Sequence, residues 1–506
     1  MNKKEILIDD VFIVNPVYKI RNDVKRCRIE NNNSFYFKRT DEIENIESGF
    51  SWSLHPDLAY LFAEFDEKKS LKEVIKDLSL EYDFSEEEVF DIFSKYIENE
   101  ERICTPIVGS KCCILPKHFL IKQEKGIKSN VLNKEEILKI MKEDIDLTSF
   151  RHYIPSEITL MLNNKCVVDC EYCYADKSVN VKSPLPFNRV KEIISEASHL
   201  GLRDVSVDGG EFFLYPYWKE LIDELREHEY YPYISTKYPL TKEMVYDLKE
   251  KGIYSIQVSL DSVNEDELVK ILNVGKDYLA KMQKAIEYLN EAEIEITIKP
   301  VITKYNDSTD SIINLLNYLN TVKMVKKVNL APVSYSIYKN FDFSSTLEKY
   351  NEIRKMIEQQ KDKFNFTVFM QGENIEMSQE QKIKNFPQRS LCSGNMSSFF
   401  ILPDGKVTIC EQMYWHPFFI MGDLSTQSIM EVWNGEKALS LWNYDQEEIR
   451  EISPCKHCVD FEECRRGQGN CWRIAISAYG EENYDFPAPN CPKALPVTRP
   501  FYTPEK

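Results

Sequence analysis

Cys166-Val-Val-Asp-Cys170-Glu-Tyr-Cys173 follows an apolar run at 158–162 that reads as a buried strand. Three cysteines spaced three and then two residues apart can wrap one iron–sulfur cubane, giving thiolates to three irons and leaving the fourth iron open to a small chelating molecule. With 14 cysteines in 506 residues, chance supplies this spacing about 0.01 times per chain. The spacing therefore carries chemistry.

These residues resemble the Cys-x-x-x-Cys-x-aromatic-Cys signature of radical S-adenosylmethionine (SAM) enzymes, with Tyr172 as the aromatic. The resemblance implies a [4Fe–4S] cluster on Cys166, Cys170 and Cys173, SAM on its open iron, and Tyr172 beside the cofactor. It also implies a partial (β/α)6, TIM-like barrel, an α/β fold. The pattern agrees: strands are expected at 157–162, 203–208, 231–236, 254–261, 294–302 and 326–332 with helices between them, and Gly201 and Gly252 close two of those helices.

In such barrels the chemistry sits at the carboxyl ends of the strands. Asp208-Gly209-Gly210-Glu211 ends the second and resembles the family's Gly-Gly-Glu/Asp-Pro motif, although Phe212 stands where proline is common. The likeness implies that Glu211 takes the amino group of SAM and that Gly209 and Gly210 admit a close ligand. Ser235 and Thr236 end the third strand, where relatives carry Thr-Asn-Gly. Ser259 and Asp261, in Val-Ser-Leu-Asp, match a motif lying over the ribose and carboxylate of SAM. The arginine that relatives carry next is absent from 262–275, and Lys299 is a substitute for it.

The last segment, 386–506, holds seven cysteines: Cys392, Cys410, Cys455, Cys458, Cys464, Cys471 and Cys491. Residues 399–402, Pro-Asp-Gly and 407–410 read as a tight hairpin. Gly405-x4-Cys410, then Met-Gly-Asp-Leu424 leading to Trp433, then Cys-x2-Cys-x5-Cys, resemble the SPASM domain, a carrier of auxiliary iron–sulfur clusters. Six residues separate Cys464 from Cys471, where relatives often have three. The family's assignment implies two auxiliary [4Fe–4S] clusters. Cys455, Cys458, Cys464 and Cys491 would hold one; Cys392, Cys410 and Cys471 would hold the other, its fourth ligand unnamed. Zinc ribbons are the alternative for such pairs. His457 reads as a surface residue. Glu411 stands where sulfatase-maturing relatives place a catalytic carboxylate, and a solvated side chain is the competing reading.

Residues 1–105 read as strands at 12–17, 25–30 and 34–39, with a turn at Asn31-Asn32-Asn33, and then three helices, two opened by the capping boxes Ser70-x-x-Glu73 and Ser85-x-x-Glu88. Val74, Ile75, Leu78, Val89, Ile92, Phe93 and Tyr96 form their buried side. The order is winged-helix-like and resembles the PqqD-like element that holds the leader of ribosomally made precursor peptides. A bridge, 106–150, joins it to the barrel at 151–335, and a helical connection, 336–385, carries no motif. Cys27, Cys104, Cys112 and Cys113 read as small buried hydrophobes.

The 82 acidic against 64 basic residues give a net charge of −18, which argues against nucleic acid. No stretch is long and apolar enough to span a bilayer, and the first ten residues are too acidic for a signal peptide. A cytoplasmic location is expected, where clustered cysteines mean metal or catalysis rather than disulfides. The function expected is a radical SAM maturase that cross-links a precursor peptide through thioethers, fed by a flavodoxin- or ferredoxin-type electron donor. Carbon–carbon cross-linking, epimerisation and sulfatase-type maturation are the other chemistries, and a zinc-stabilised adaptor the other class.

Overall fold

Ser70 and Ser85 each accept a hydrogen bond from the amide three residues on, while Glu73 and Glu88 accept from the serine amides. These boxes start the helices Leu71–Tyr82 and Glu86–Ser94 where the spacing predicts them. In the computed structural model, residues 8–32, 49–107, 111–124, 129–333, 337, 343–371, 378–389, 391–465 and 469–498 are described. They divide into two compact units. The first runs to Glu157 and takes in Ser195–Val205 and Glu229–Tyr231; the second comprises the rest.

In the first unit an antiparallel sheet, Tyr18–Asn22, Cys27–Asn31 and Ser51–Leu54, precedes three helices. Phe62 meets Phe65, Phe93, Tyr96 and Phe119 edge-on or tilted at the centre of their core. Val74, Ile75, Leu78, Val89, Phe93 and Tyr96 are buried as expected, but Ile92 is exposed. The strand expected at 12–17 is Val11–Val14, which pairs instead with Asp66–Ser70 and Leu120–Lys122. The strand expected at 34–39 lies outside the described residues. The tight turn falls at 23–26, with Val24 at φ 57°, so Tyr18–Asn22 is a strand the sequence reading missed.

It was missed because Arg21, mid-strand, is buried. Its Nε donates to Glu30 at 2.7 Å, and its Nη2 to Ser156 at 2.8 Å and to Ile154 O at 3.2 Å. Ser156 donates to Glu30 at 2.8 Å and Arg28 approaches the same carboxylate at 3.2 Å. Arg26 pairs with Asp23 at 2.7 Å and donates to the carbonyls of Ser149 and Arg151. Burial alone would raise the pKa of Glu30, but Arg21 and Arg28 override it and hold the carboxyl well below its ordinary value. Burial, then Arg28, keeps His152 neutral well below its usual range.

The strands expected from 157 onward appear at Glu157–Met161, Asp204–Asp208, Ser235–Thr236, Ser255–Val258, Glu295–Ile298 with Val301–Ile302, and Val325–Pro332. Helices alternate with them, and Gly201 and Gly252 lie at φ 72° and 75° where helices stop. The six do not share one ladder. From Ser235 onward they pair in parallel, joined by Thr367–Met370 from the segment expected to be helical. The first two stand in a second sheet, beside Ser398–Ile401, Lys406–Thr408 and Ile420–Asp423.

Those last three strands contain the expected hairpin, with Phe400 opposite Thr408 and Ile401 opposite Val407. Gly405 turns it at φ 93°, where a Cβ would press on Asp423 and Leu185 at about 3 Å. Trp433 is fully buried against Phe399.

Candidate active site and iron–sulfur centres

The cysteine loop leaves the strand Glu157–Met161 and is pinned from the side: Asp169 N donates to Leu272 O at 3.0 Å and Glu171 N to Ile271 O at 2.9 Å. Cys170 is buried, Cys173 half-buried and Cys166 exposed. The three thiols lie within electrostatic reach of one another.

Beside them, Gly210 N donates to Asn163 O at 2.5 Å and Glu211 N to Lys165 O at 2.6 Å. A Cβ on Gly209 would stand 2.6 Å from Asn163 O, and one on Gly210 would overlap Lys165 O. Both glycines are required by backbone packed against backbone. Glu211, nearly buried, accepts from Thr236 Oγ1 at 2.7 Å, Lys237 N at 3.0 Å and Phe213 N at 3.3 Å. Burial still raises its pKa, against those hydrogen bonds. Oε1 takes two of these donors and Oε2 one, so a lone pair on Oε2 stays open to a further donor.

Asp261 is fully buried and accepts from Tyr172 OH at 2.8 Å, Lys237 Nζ at 2.9 Å and Val301 N at 2.8 Å. It ties the cysteine loop to two strand ends. Lys237, unremarked in the sequence, lies 5.5 Å over the Tyr172 ring and within reach of the Cys170 charge. It is one of two cations at this loop: Lys177 pairs with Asp169 at 2.9 Å, within reach of Cys166 and Cys173. Lys299 interacts with Asp208 and Glu411. Ser235 and Ser259 are bridged by Gln257 Nε2 at 2.6 and 3.3 Å.

Glu411, at the end of the hairpin, shares its surroundings with Asp208, Lys299 and Arg473. Tyr174 feels Glu411 and Asp208, and Tyr414 feels Asp208, Cys173 and Cys166. Groups from the second strand, the cysteine loop and the hairpin therefore lie within electrostatic reach of one another. Burial, followed by Asp208, pushes Glu411 up to about 7. Asp208 opens the Asp-Gly-Gly-Glu stretch but had no role assigned from sequence, and no sequence signal marked Arg473.

The remaining seven cysteines fall into two sets. Cys471 interacts with Cys392 and with Cys410. Cys464 and Cys491 each interact with Cys455 and Cys458. Three cations donate to the second set: Arg389 Nη2 to Cys464 Sγ at 3.0 Å, Lys493 Nζ to Cys458 Sγ at 3.1 Å and Arg465 Nη2 to Cys455 Sγ at 3.4 Å. A cavity lined by Cys392, Gly394, Ile409, Asn470 and Trp472 opens beside the first set. His457 is on the surface, paired with Glu451 at 3.0 Å.

Residues 160–316 match the radical SAM superfamily, and residues 392–459 an iron–sulfur cluster-binding domain, SPASM. The chain carries both domains. The first is a kind that binds a [4Fe–4S] cluster and SAM, the second a kind that binds auxiliary iron–sulfur clusters. The chain is 30% identical over 152 residues to the GTP 3′,8-cyclase of Helicobacter pylori strain ATCC 700392 / 26695, covering 29% of this chain and 47% of that enzyme. It thus spans about half the length of the curated cyclases it matches. It is 21% identical over 325 residues to the PqqA peptide cyclase of Bradyrhizobium diazoefficiens, covering 62% of this chain and 82% of the relative. The crystal structure of Streptococcus suis SuiB bound to precursor peptide SuiA shares the fold over 95% of this chain and 99% of that one, with 15% identity and a TM-score of 0.64.

The donor chemistry fits such groups. Thiols gather in threes and fours, cations aim at sulfur, and the buried Arg465 Nη1 has no hydrogen-bond partner. Among the described residues no three potential ligands converge tightly enough for one bare ion, and a cubane places its ligands on separate iron corners. No described helix is long and apolar enough to cross a membrane.

Two of the four other cysteines differ from expectation. Cys104 and Cys112 project from the same exposed face of the hairpin Ile103–Ile107 and Lys111–Leu115, whereas Cys27 and Cys113 are buried. Alternation decides this: Thr105 and Cys113 point inward, so their neighbours point out. Iodoacetamide on the native, cluster-loaded protein should alkylate Cys104 and Cys112 at least about tenfold faster than Cys27 and Cys113, as read by peptide mapping. Equal rates would refute the assigned faces.

Proposed function

We propose that this chain is a radical SAM maturase that installs thioether cross-links in a ribosomally made precursor peptide. The observation that carries the reading is that Asp208, Tyr174, Tyr414 and Glu411 lie within electrostatic reach of one another, with thiols of the cysteine loop and Cys410 of the first auxiliary set also in reach. A substrate carbon placed among these groups is beside the radical source and beside the thiol set together. Cys166, Cys170 and Cys173 would hold the cluster that binds SAM and, when reduced, supplies a 5′-deoxyadenosyl radical. Glu211 would receive the SAM amino group, with Gly209 and Gly210 letting its loop pack against the backbone of Asn163 and Lys165. Tyr172, Ser235, Ser259 and Asp261 would shape the cofactor's side of the site, Asp261 by fixing Tyr172 and Lys237.

Cys392, Cys410 and Cys471 would hold one auxiliary [4Fe–4S] cluster, and Cys455, Cys458, Cys464 and Cys491 the other. Glu411 would accept the proton released as the cross-link forms. The three-stranded sheet and three helices of the first unit support a leader-docking role by strand addition. The SuiB likeness spans this region, and that structure contains a precursor peptide. The PqqA peptide cyclase likeness also points to a peptide substrate. An electron donor of flavodoxin or ferredoxin type and a cytoplasmic location complete the proposal.

The test is mass spectrometry of a candidate precursor peptide after anaerobic incubation with cluster-loaded protein, SAM and reductant. Loss of a hydrogen pair per event, with cysteines neither alkylated nor released by reductant, supports thioethers. Loss of hydrogen with every cysteine still alkylated shifts the bond to carbon–carbon, and an unchanged mass with deuterium uptake shifts the activity to epimerisation. Glu411→Gln should lower cross-linking by about 10²–10⁴-fold while deoxyadenosine release continues. Unimpaired cross-linking would remove Glu411 from the chemistry.

A further inference from the structure

The four-thiol set has a feature that ligation alone does not require. Each of three cysteine sulfurs receives a hydrogen bond from a different cation. Arg389 is fixed for this: its guanidinium lies 3.9 Å from the Phe386 ring centre and donates to Phe386 O at 2.8 Å and Gly469 O at 2.9 Å as well as to Cys464 Sγ. Arg465 is 7% exposed, donates to Asp485 O at 3.1 Å and to Cys455 Sγ, and retains the unpartnered Nη1. Lys493 spans Cys458 Sγ and Asp460 at 2.8 Å, and its own amide donates to Cys491 Sγ at 3.4 Å. Gln446 Nε2 meanwhile holds the carbonyls of Cys455 and Cys458 at 2.9 Å each, which fixes the loop that presents those two sulfurs.

A cluster on four thiolates is anionic and becomes more so on reduction. Cations and N–H donors at the sulfurs stabilise the reduced state more than the oxidised one. We propose that Arg389, Arg465 and Lys493 raise the reduction potential of the cluster held by Cys455, Cys458, Cys464 and Cys491, making this site an electron acceptor. The proposal rests on the assignment of a cluster to those four cysteines. Two of the cations are buried or half-buried, where charge is poorly screened; Lys493 is the exposed one, and so the one that can be changed without disturbing the fold.

The experiment is potentiometric EPR on anaerobically reconstituted full-length protein, following the signal that Cys491→Ala removes. In Lys493→Met that signal should titrate at a lower midpoint potential with iron content unchanged, and Lys493→Arg, which keeps charge and donor, should restore it. A midpoint unmoved in Lys493→Met, with iron intact, overturns the proposal. Iron content and spectrum indifferent to Cys491→Ala would instead show that no cluster stands on these thiols, overturning the assignment and the proposal with it.

Discussion

Cys170→Ala is expected to reduce deoxyadenosine formation from SAM to background, a loss of at least about 10⁴-fold, and to remove about four irons per chain. Of the three loop cysteines it is the buried one, next to the lysine that lies over Tyr172, so no outside thiol or water can take its place. Cys491→Ala should also cost about four irons but leave SAM cleavage in place, because its set is separate from the loop. Iron analysis and chromatography of the products read both effects. Retained iron with retained cleavage in Cys170→Ala would end the reading of this loop as the cluster site.

Glu30→Gln is expected to destabilise the first unit by about 3–5 kcal/mol, the range for removing one partner of a buried charge network. Arg21 and Arg28 would each lose a charged acceptor while staying buried. Adding Arg21→Met to Glu30→Gln should recover part of the loss, since the unpaired cation goes too. Urea unfolding of the full chain, following its first transition, measures this. A change under about 1 kcal/mol would mean that water reaches the site.

The same residues set an acid limit. The folded pKa of His152 lies below its ordinary 6.5, so the unfolded chain takes the proton first; this contribution is complete above 6.5 and fades below it. The folded pKa of Glu30 lies below its ordinary 4.5, so its contribution is complete above 4.5 and fades as pH falls further. Both point one way. Midpoints measured from pH 8 down to 4 should begin to fall near 6.5 in the parent chain, and more weakly in a His152→Gln variant.

Local signals carried most of what the sequence revealed. Capping boxes, glycine stops and the Pro-Asp-Gly turn are decided within a few residues, and the structure has them where the spacing puts them. The loop cysteines were legible because their spacing is itself local, whereas the two later sets, scattered along the chain, could be grouped only by resemblance. What was hidden depends on distant partners. Arg21 reads as a solvated charge until Ser156 and Glu30 are brought around it, and Lys237 reads as a surface residue until Asp261 closes on it. Asp261 was marked by its motif, but its three protein donors, Tyr172, Lys237 and Val301, come from distant parts of the chain. Cys104 and Cys112 were misread because a cysteine's burial depends on which face of its strand it occupies.

The sheet that joins Glu157–Met161 to Ser398–Ile401 pairs strands separated by roughly 240 residues. During synthesis the earlier strand must wait, its hydrogen-bonding edge unpaired, until the late hairpin leaves the ribosome. Such a long closure is slow to form, and an unfilled edge invites pairing with another chain. A protein cut before residue 398 would keep that liability permanently, so its expression should yield aggregate where the full chain yields monodisperse protein.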